Sequence, residues 1–371
     1  MTSAYQQLTK TFQRLSRFSH VTAIAGCDMQ TTMPPGGSQA RGEALAEMSV
    51  LQHQILTAPQ VGEWLRAAEQ QSLNDVERAN LNEMQRAYQQ ATLLPDDFVE
   101  AKSIAGSVCE HAWRTQRPAN DWQGFAANLK EVVRLSREEA QRRADATGCS
   151  RYDALLDLYE PGMTRARLDE TFGELKTWLP DLLQQVVEKQ AQQTVVTPQG
   201  PFALPAQRQL GLSIMETLGF DFNHGRLDIS AHPFCGGVPE DVRITTRYNE
   251  NEFLSALMGV IHETGHARYE QNLPQQWRGQ PVALARSTAI HESQSLFMEM
   301  QLGRSREFLQ RILPQVIATF GDQPALQADN FVRLTQQVKP GLIRVDADEL
   351  SYPAHVILRY EIEQADRKSV V

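Results

Sequence analysis

The chain has 371 residues, a formal net charge of −9, 41% hydrophobic and 22% charged residues, values ordinary for a soluble globular protein with ample core in one large domain or two small ones. The negative balance argues against nucleic acid as a partner, and no apolar run reaches membrane-spanning length. Cys27, Cys109, Cys149 and Cys235 are too scattered for a disulfide framework or a thiolate zinc site, and the opening Met1-Thr2-Ser3-Ala4-Tyr5 carries no secretory pattern, so a cytoplasmic protein with no membrane partner is expected.

Taken in chain order, most of the sequence reads as helix. Residues 3–26, 38–57, 74–92, 95–117 and 121–146 are proline-poor, with apolar residues at three- and four-residue intervals. Asn74 or Asp75, Pro95-Asp96-Asp97 and Asn120-Asp121 provide starts, and Gln30-Thr31-Thr32-Met33-Pro34-Pro35-Gly36-Gly37 is a turn. A further helix is expected over about 165–193, followed by a polar connector through Pro198-Gln199-Gly200-Pro201.

The pattern changes between Phe220 and Tyr248. Residues 221–229 and 242–248 alternate polar and apolar side chains, which predicts a small antiparallel β-sheet. Helices return at 251–272, 283–302, 304–320, 326–338 and 346–366. With no internal repeat and no low-complexity linker, the expectation is one mainly α domain over 1–371. Its N-terminal helical part would span about 1–200 and its catalytic part about 201–371.

Within the first of the returning helices stands His262-Glu263-Thr264-Gly265-His266. Four residues advance a helix by slightly more than one turn, so the two imidazoles project from one face and can share a metal ion. Glu263 between them is placed to act as general base on water at the metal's open side. A tetrahedral catalytic zinc needs a third protein ligand. Glu292, in His291-Glu292-Ser293, supplies it if the helices on either side of the Leu273–Pro281 break pack together. The site expected is that of a two-His, one-Glu zinc peptide hydrolase.

Together with their neighbours these residues resemble the carboxypeptidase Taq family of metal-dependent carboxypeptidases, over nearly the whole chain. His232-Pro233-Phe234, Asp241-Val242-Arg243-Ile244-Thr245, the His262–His266 motif, His291-Glu292-Ser293 and Arg344-Val345-Asp346-Ala347-Asp348-Glu349 stand in the family's order. Asp28-Met29-Gln30-Thr31-Thr32-Met33-Pro34 also looks like a family signature, with Cys27 where tryptophan is expected.

The resemblance implies a helical fold split by a deep cleft with the metal at its floor. It implies a homodimer that removes C-terminal residues from peptides with broad preference, disfavours proline, and uses Zn2+ with Co2+ as a substitute. Arg243 and Arg344 become the candidates for the substrate's terminal carboxylate, because a guanidinium fork pairs with carboxylate in a bidentate manner. A structural ion pair with Asp241, Asp348 or Glu349 is the alternative for either, and Arg344 is favoured. His232 becomes a candidate substrate contact, His291 a group orienting the third ligand, and Asp241 and Thr245 supports for the sheet and Arg243. Tyr248 and Tyr269 are further phenols considered near the metal.

Relative to the family, which continues with helices and a transition-state tyrosine beyond the last motif, the chain looks shortened at its C terminus. The alternatives to a working carboxypeptidase are thus a metal-binding but catalytically impaired protein and a related oligopeptidase or endopeptidase. Tyr352, Val356, Ile357, Leu358 and Tyr360 would be left exposed by such shortening.

Overall fold

The computed structural model describes residues 2–368. It is mainly helical and separates into two compact units. The first comprises the residues up to Leu155 with Gly236–Val238 and Asn272–Arg286; the second comprises the remainder.

The first unit is built from α1 (Ala4–Thr31), α2 (Ser38–Thr57), α3 (Pro59–Glu69), α4 (Asp75–Thr92), α5 (Asp96–Gln116) and α6 (Trp122–Thr147). Ser3 with Gln6, and Asn74 with Glu77, form reciprocal capping boxes that satisfy the first amides of α1 and α4. Leu8, Phe12, Val61, Leu65, Leu81 and Met84 close one core between these helices. Polar groups pin the returning segment to it: Asn80 bonds the Gln280 side chain and the Val282 amide, and Gln280 donates to the Thr9 carbonyl. α3 was not expected from the sequence. Its proline in the first turn and its buried Val61, Leu65 and Ala68 are nevertheless a helical start and a helical stripe.

α7 (Arg151–Tyr159) follows, also unforeseen. The second unit contains α8 (Arg165–Gln190), α9 (Leu204–Thr217), β1 (Gly225–Ile229), β3 (Asp241–Thr246), α10 (Leu254–Gln271), α11 (Thr288–Leu296), α12 (Arg306–Phe320), α13 (Ala328–Thr335) and α14 (Tyr352–Lys368). Strand β2 (Cys235–Val238) lies between β1 and β3 in sequence. α9 is a third helix beyond those expected from the sequence, because Pro205 and Gly211 interrupt its apolar stripe.

The three strands form a sheet in the order β1-β3-β2. β1 and β3 pair in parallel, with Gly225 opposite Val242 and Ile229 opposite Thr246. This corrects the antiparallel expectation for those two segments. The physical reason is the intervening stretch 230–240, long enough to return the chain to its starting end before β3 begins.

α10 is the axis of the second unit. Leu257 and Ile261 enter a core with Ile214, Phe253, Phe308, Ile312 and Phe331. Val260 and Ala267 enter a separate core with Leu227, Val242 and Ile244 of the sheet. Burying a side chain such as Ile261 contributes about 1.5–3 kcal/mol, and its two packed faces fix the rotation of α10. α14 packs as well: Tyr360 is buried, its ring edge-on to Phe172 at 5.0 Å and its hydroxyl donating to Asp169 of α8 at 2.6 Å. The expected exposure of α14 is therefore corrected for Ile357 and Tyr360, which are buried, and holds for Leu358.

Candidate metal centre

With α10 fixed by its two cores, His262 and His266 share its remaining face, their ring centroids 5.0 Å apart. Glu252 caps the helix start by accepting from the Leu254 and Ser255 amides. α11 begins at Ser287, whose hydroxyl accepts from the Ile290 amide. The Glu160 carboxylate also binds that hydroxyl, at 2.6 Å, and the Ala289 amide, at 2.9 Å.

Gly265 lets the two helices meet. A Cβ there would lie 2.5 Å from the Gln294 carbonyl oxygen and 2.6 Å from the Ser295 Cα, distances no side chain can occupy. At that approach Glu292 Oε2 comes 3.3 Å from His266 Nε2. One ligand atom from each of His262, His266 and Glu292 lies within 4.8 Å of the others, and among the described residues no other such cluster is gathered.

The electrostatics suit a cation. The hydrogen bond from His266 holds the Glu292 carboxyl down to about 2, outweighing its burial. Glu263 is only 6% exposed, and its Oε2 is buried with no hydrogen-bond partner. Burial above all, with the Glu292 and Glu299 charges adding and His262 and His291 opposing, pushes its carboxyl up to about 7. An ionised carboxylate gathered with two imidazoles, together with a buried second carboxylate that has one unpartnered oxygen, is a donor set that fits a divalent metal and a water.

His291 lies beside this group: its Nδ1 is 2.6 Å from His266 Nδ1 and its Nε2 is 2.7 Å from the Glu270 carboxylate. If His266 presents Nε2 to a metal, its Nδ1–H donates to His291, and His291 then donates to Glu270. His291 thus contacts His266 rather than Glu292, the partner anticipated from its position in the sequence. Tyr269 packs edge-on against His291 at 5.1 Å. The Tyr248 hydroxyl is buried without a partner, its pKa pushed up to about 12 by burial.

The remaining candidates occupy two places. In the sheet region, Arg243 pairs bidentately with Asp241 at 3.0 and 2.7 Å. Buried Thr245 binds the Ser230 hydroxyl at 2.7 Å and accepts from the Phe234 amide at 3.0 Å. The two bonds clasp the turn that carries His232, which is exposed and whose Nδ1 bonds the Pro233 carbonyl at 2.8 Å. Arg344, by contrast, reaches the triad: its Nη1 donates to the Tyr352 hydroxyl at 3.0 Å, and that hydroxyl donates to Glu292 Oε1 at 3.4 Å.

Sequence reasoning missed Tyr352, Glu270, Glu160 and Glu299. The last has a readable signal, since it follows Glu292 by seven residues, two turns along one helix face. Glu270 also has one, standing four residues after His266 on the same face of α10, whereas Tyr352 and Glu160 are brought in by tertiary packing.

A helical protein with His-Glu-x-x-His on one helix and a glutamate delivered by the next is, by class, a metallopeptidase. The family model described as carboxypeptidase Taq (M32) metallopeptidase matches residues 7–367. The chain belongs to that family and is by membership a metallocarboxypeptidase. It is 36% identical to thermostable carboxypeptidase 1 of Thermus thermophilus, covering 98% of this chain and 74% of that protein. It is 34% identical to carboxypeptidase 1 of Bacillus subtilis, covering 95% and 71%. Among solved structures it superposes on metallocarboxypeptidase 1 of Trypanosoma cruzi with a TM-score of 0.92 at 49% identity, covering 99% of this chain and 74% of that one. The M32 carboxypeptidase of Deinococcus radiodurans gives 0.86 at 32%, again over 99% and 74%.

Proposed function

We infer that the chain, acting as one metallocarboxypeptidase domain, releases single residues from the free C termini of peptides, with broad side-chain preference and with proline disfavoured. The gathering of His262, His266 and Glu292, with the buried and unpartnered Oε2 of Glu263 next in sequence to His262, carries this reading. Zinc, with cobalt as a substitute, is the metal suited to two imidazoles and one carboxylate. A cation held there supplies Lewis acidity, acidifying water and polarising the scissile carbonyl.

The chain's own groups do the rest. Glu263 accepts the proton of the attacking water and returns it to the leaving amine. His291, backed by Glu270, fixes the tautomer of His266. Arg344 pairs with the substrate's terminal carboxylate, an assignment supported by its hydrogen bond to a neutral group, the Tyr352 hydroxyl, whereas Arg243 already holds a bidentate carboxylate in Asp241. Asp241 and Thr245 support Arg243 and the turn bearing His232, which contacts the substrate from the sheet edge.

None of the four cysteines is in a disulfide, and a reducing, cytoplasmic setting is part of this reading. No helix among the described residues is long and apolar enough to cross a membrane. By likeness to the family the active form is a homodimer.

The test is metal dependence. Chelator-treated protein should lose C-terminal trimming of an unstructured peptide and regain it on adding one equivalent of zinc or cobalt, and trimming should stall at a C-terminal proline. Trimming that persists without metal would defeat the reading.

A further inference from the structure

Glu299 is 13% exposed at its side chain and lies outside both the His262–His266 motif and His291-Glu292-Ser293. It belongs to a π-helical turn, Phe297–Gly303, that continues directly from α11. Such turns insert a residue into a helix and re-aim the side chains they carry. Gly303 closes this one against α10: a Cβ there would lie 3.2 Å from the Ile261 side chain, one residue before His262. The turn thereby sets Glu299 Oε2 at 3.0 Å from His262 Nδ1. The other oxygen, Oε1, accepts from Arg304 Nη2 at 2.8 Å. Arg304 is itself fixed, because its Nη1 donates to the Thr335 carbonyl at the end of α13 at 2.7 Å.

Both carboxylate oxygens of Glu299 are therefore occupied, one by the guanidinium that Thr335 holds and one by Nδ1 of His262, which leaves Nε2 as the ring nitrogen available to a metal. We propose that Glu299, clamped by Arg304, is the positioning residue for His262: it accepts the Nδ1–H, fixes the tautomer that leaves Nε2 bare, and holds the ring in the plane that a metal requires. This rests on the metal-site reading above. An imidazole whose Nδ1–H donates to a carboxylate is a better metal ligand than one bonded to a neutral acceptor, and loss of such a partner costs about 10–100-fold in metal affinity. The two histidines are then oriented by different devices, His262 by a carboxylate directly and His266 through His291 and Glu270.

The test measures zinc affinity by competition with a chromogenic chelator, on the full chain and independently of activity. Glu299→Gln keeps the shape and an acceptor oxygen but removes the charge, and Arg304→Met releases the clamp. Glu292→Gln serves as the control for the triad itself. The expected result is a loss of about tenfold or more in zinc affinity for Glu299→Gln, a smaller loss for Arg304→Met, and native helical signal in both. Where Glu299→Gln lowers the unfolding midpoint of the metal-free protein but leaves zinc affinity within twofold of the parent, Glu299 is merely structural and the proposal is overturned. Tight zinc binding by the parent that Glu292→Gln does not weaken would overturn the triad reading and this proposal with it. Tight binding that responds to Glu292→Gln alone would overturn only the proposal.

Discussion

Gly265 of α10 and Ser295 of α11 are in backbone contact: a side-chain carbon on Gly265 would stand 2.6 Å from the Ser295 Cα. The contact lies between the two helices that carry the triad, one residue from His266 and three from Glu292. The spacing of those helices is thus set by the absence of a side chain at the centre of the metal motif.

Gly265→Ala should therefore force α10 and α11 apart. Overpacking of this kind costs about 1–3 kcal/mol, and here the obstructing atoms are backbone, which cannot rotate away. The expected outcome is a lower urea midpoint together with weakened zinc binding, read on the same preparation. A variant with parental stability and parental zinc affinity would show that the helices have slack.

A second expectation concerns pH and the metal-free protein. Glu263 titrates near 7 in the folded chain against an ordinary 4.5. Between those values the folded chain holds a proton that the unfolded chain has released, so stability falls as pH rises through the window and the contribution is gone above about 7. The difference corresponds to a few kcal/mol, on the order of 3. Glu263→Gln lacks this titration. After chelation the variant should gain stability relative to the parent between pH 4.5 and 8, as followed by urea melts at each pH. Parallel curves for the two proteins would mean that Glu263 is solvated.

The two arginines separate by kinetics. Arg344→Met should raise KM for peptides with a free C terminus at least tenfold, because a charge-assisted bond to the terminal carboxylate worth about 1.5–3 kcal/mol is lost. Arg243→Met should act mainly through the Asp241 carboxylate it abandons, lowering stability more than it raises KM. The reverse pattern would exchange their roles.

Much of this site is legible from local spacing, and what is not legible depends on tertiary contacts. His262 and His266 share a face because helical geometry requires it, and the apolar run ahead of them identifies the helix. Glu292 follows from the demand for a third ligand. Glu299 escapes notice because seven-residue spacing on a helix is common and only the π-helical turn and Arg304 give it meaning. The parallel pairing of β1 and β3 was hidden for a related reason: alternation marks a strand with two unlike faces and is silent on direction. Tyr352 looked like a surface apolar residue, yet its hydroxyl lies between Arg344 and Glu292. Pro205 obscured α9, although a proline in the first turn starts helices as readily as it ends them.

The most direct measurement pairs zinc-loaded protein with one unstructured peptide in two forms, C-terminally free and amidated, read by mass spectrometry beside Glu263→Gln. The expected result is stepwise loss from the free peptide only, reduced at least a hundredfold in the variant while zinc remains bound. Internal cleavage, equal trimming of the amidated peptide, or no cleavage of either form with zinc in place would contradict it.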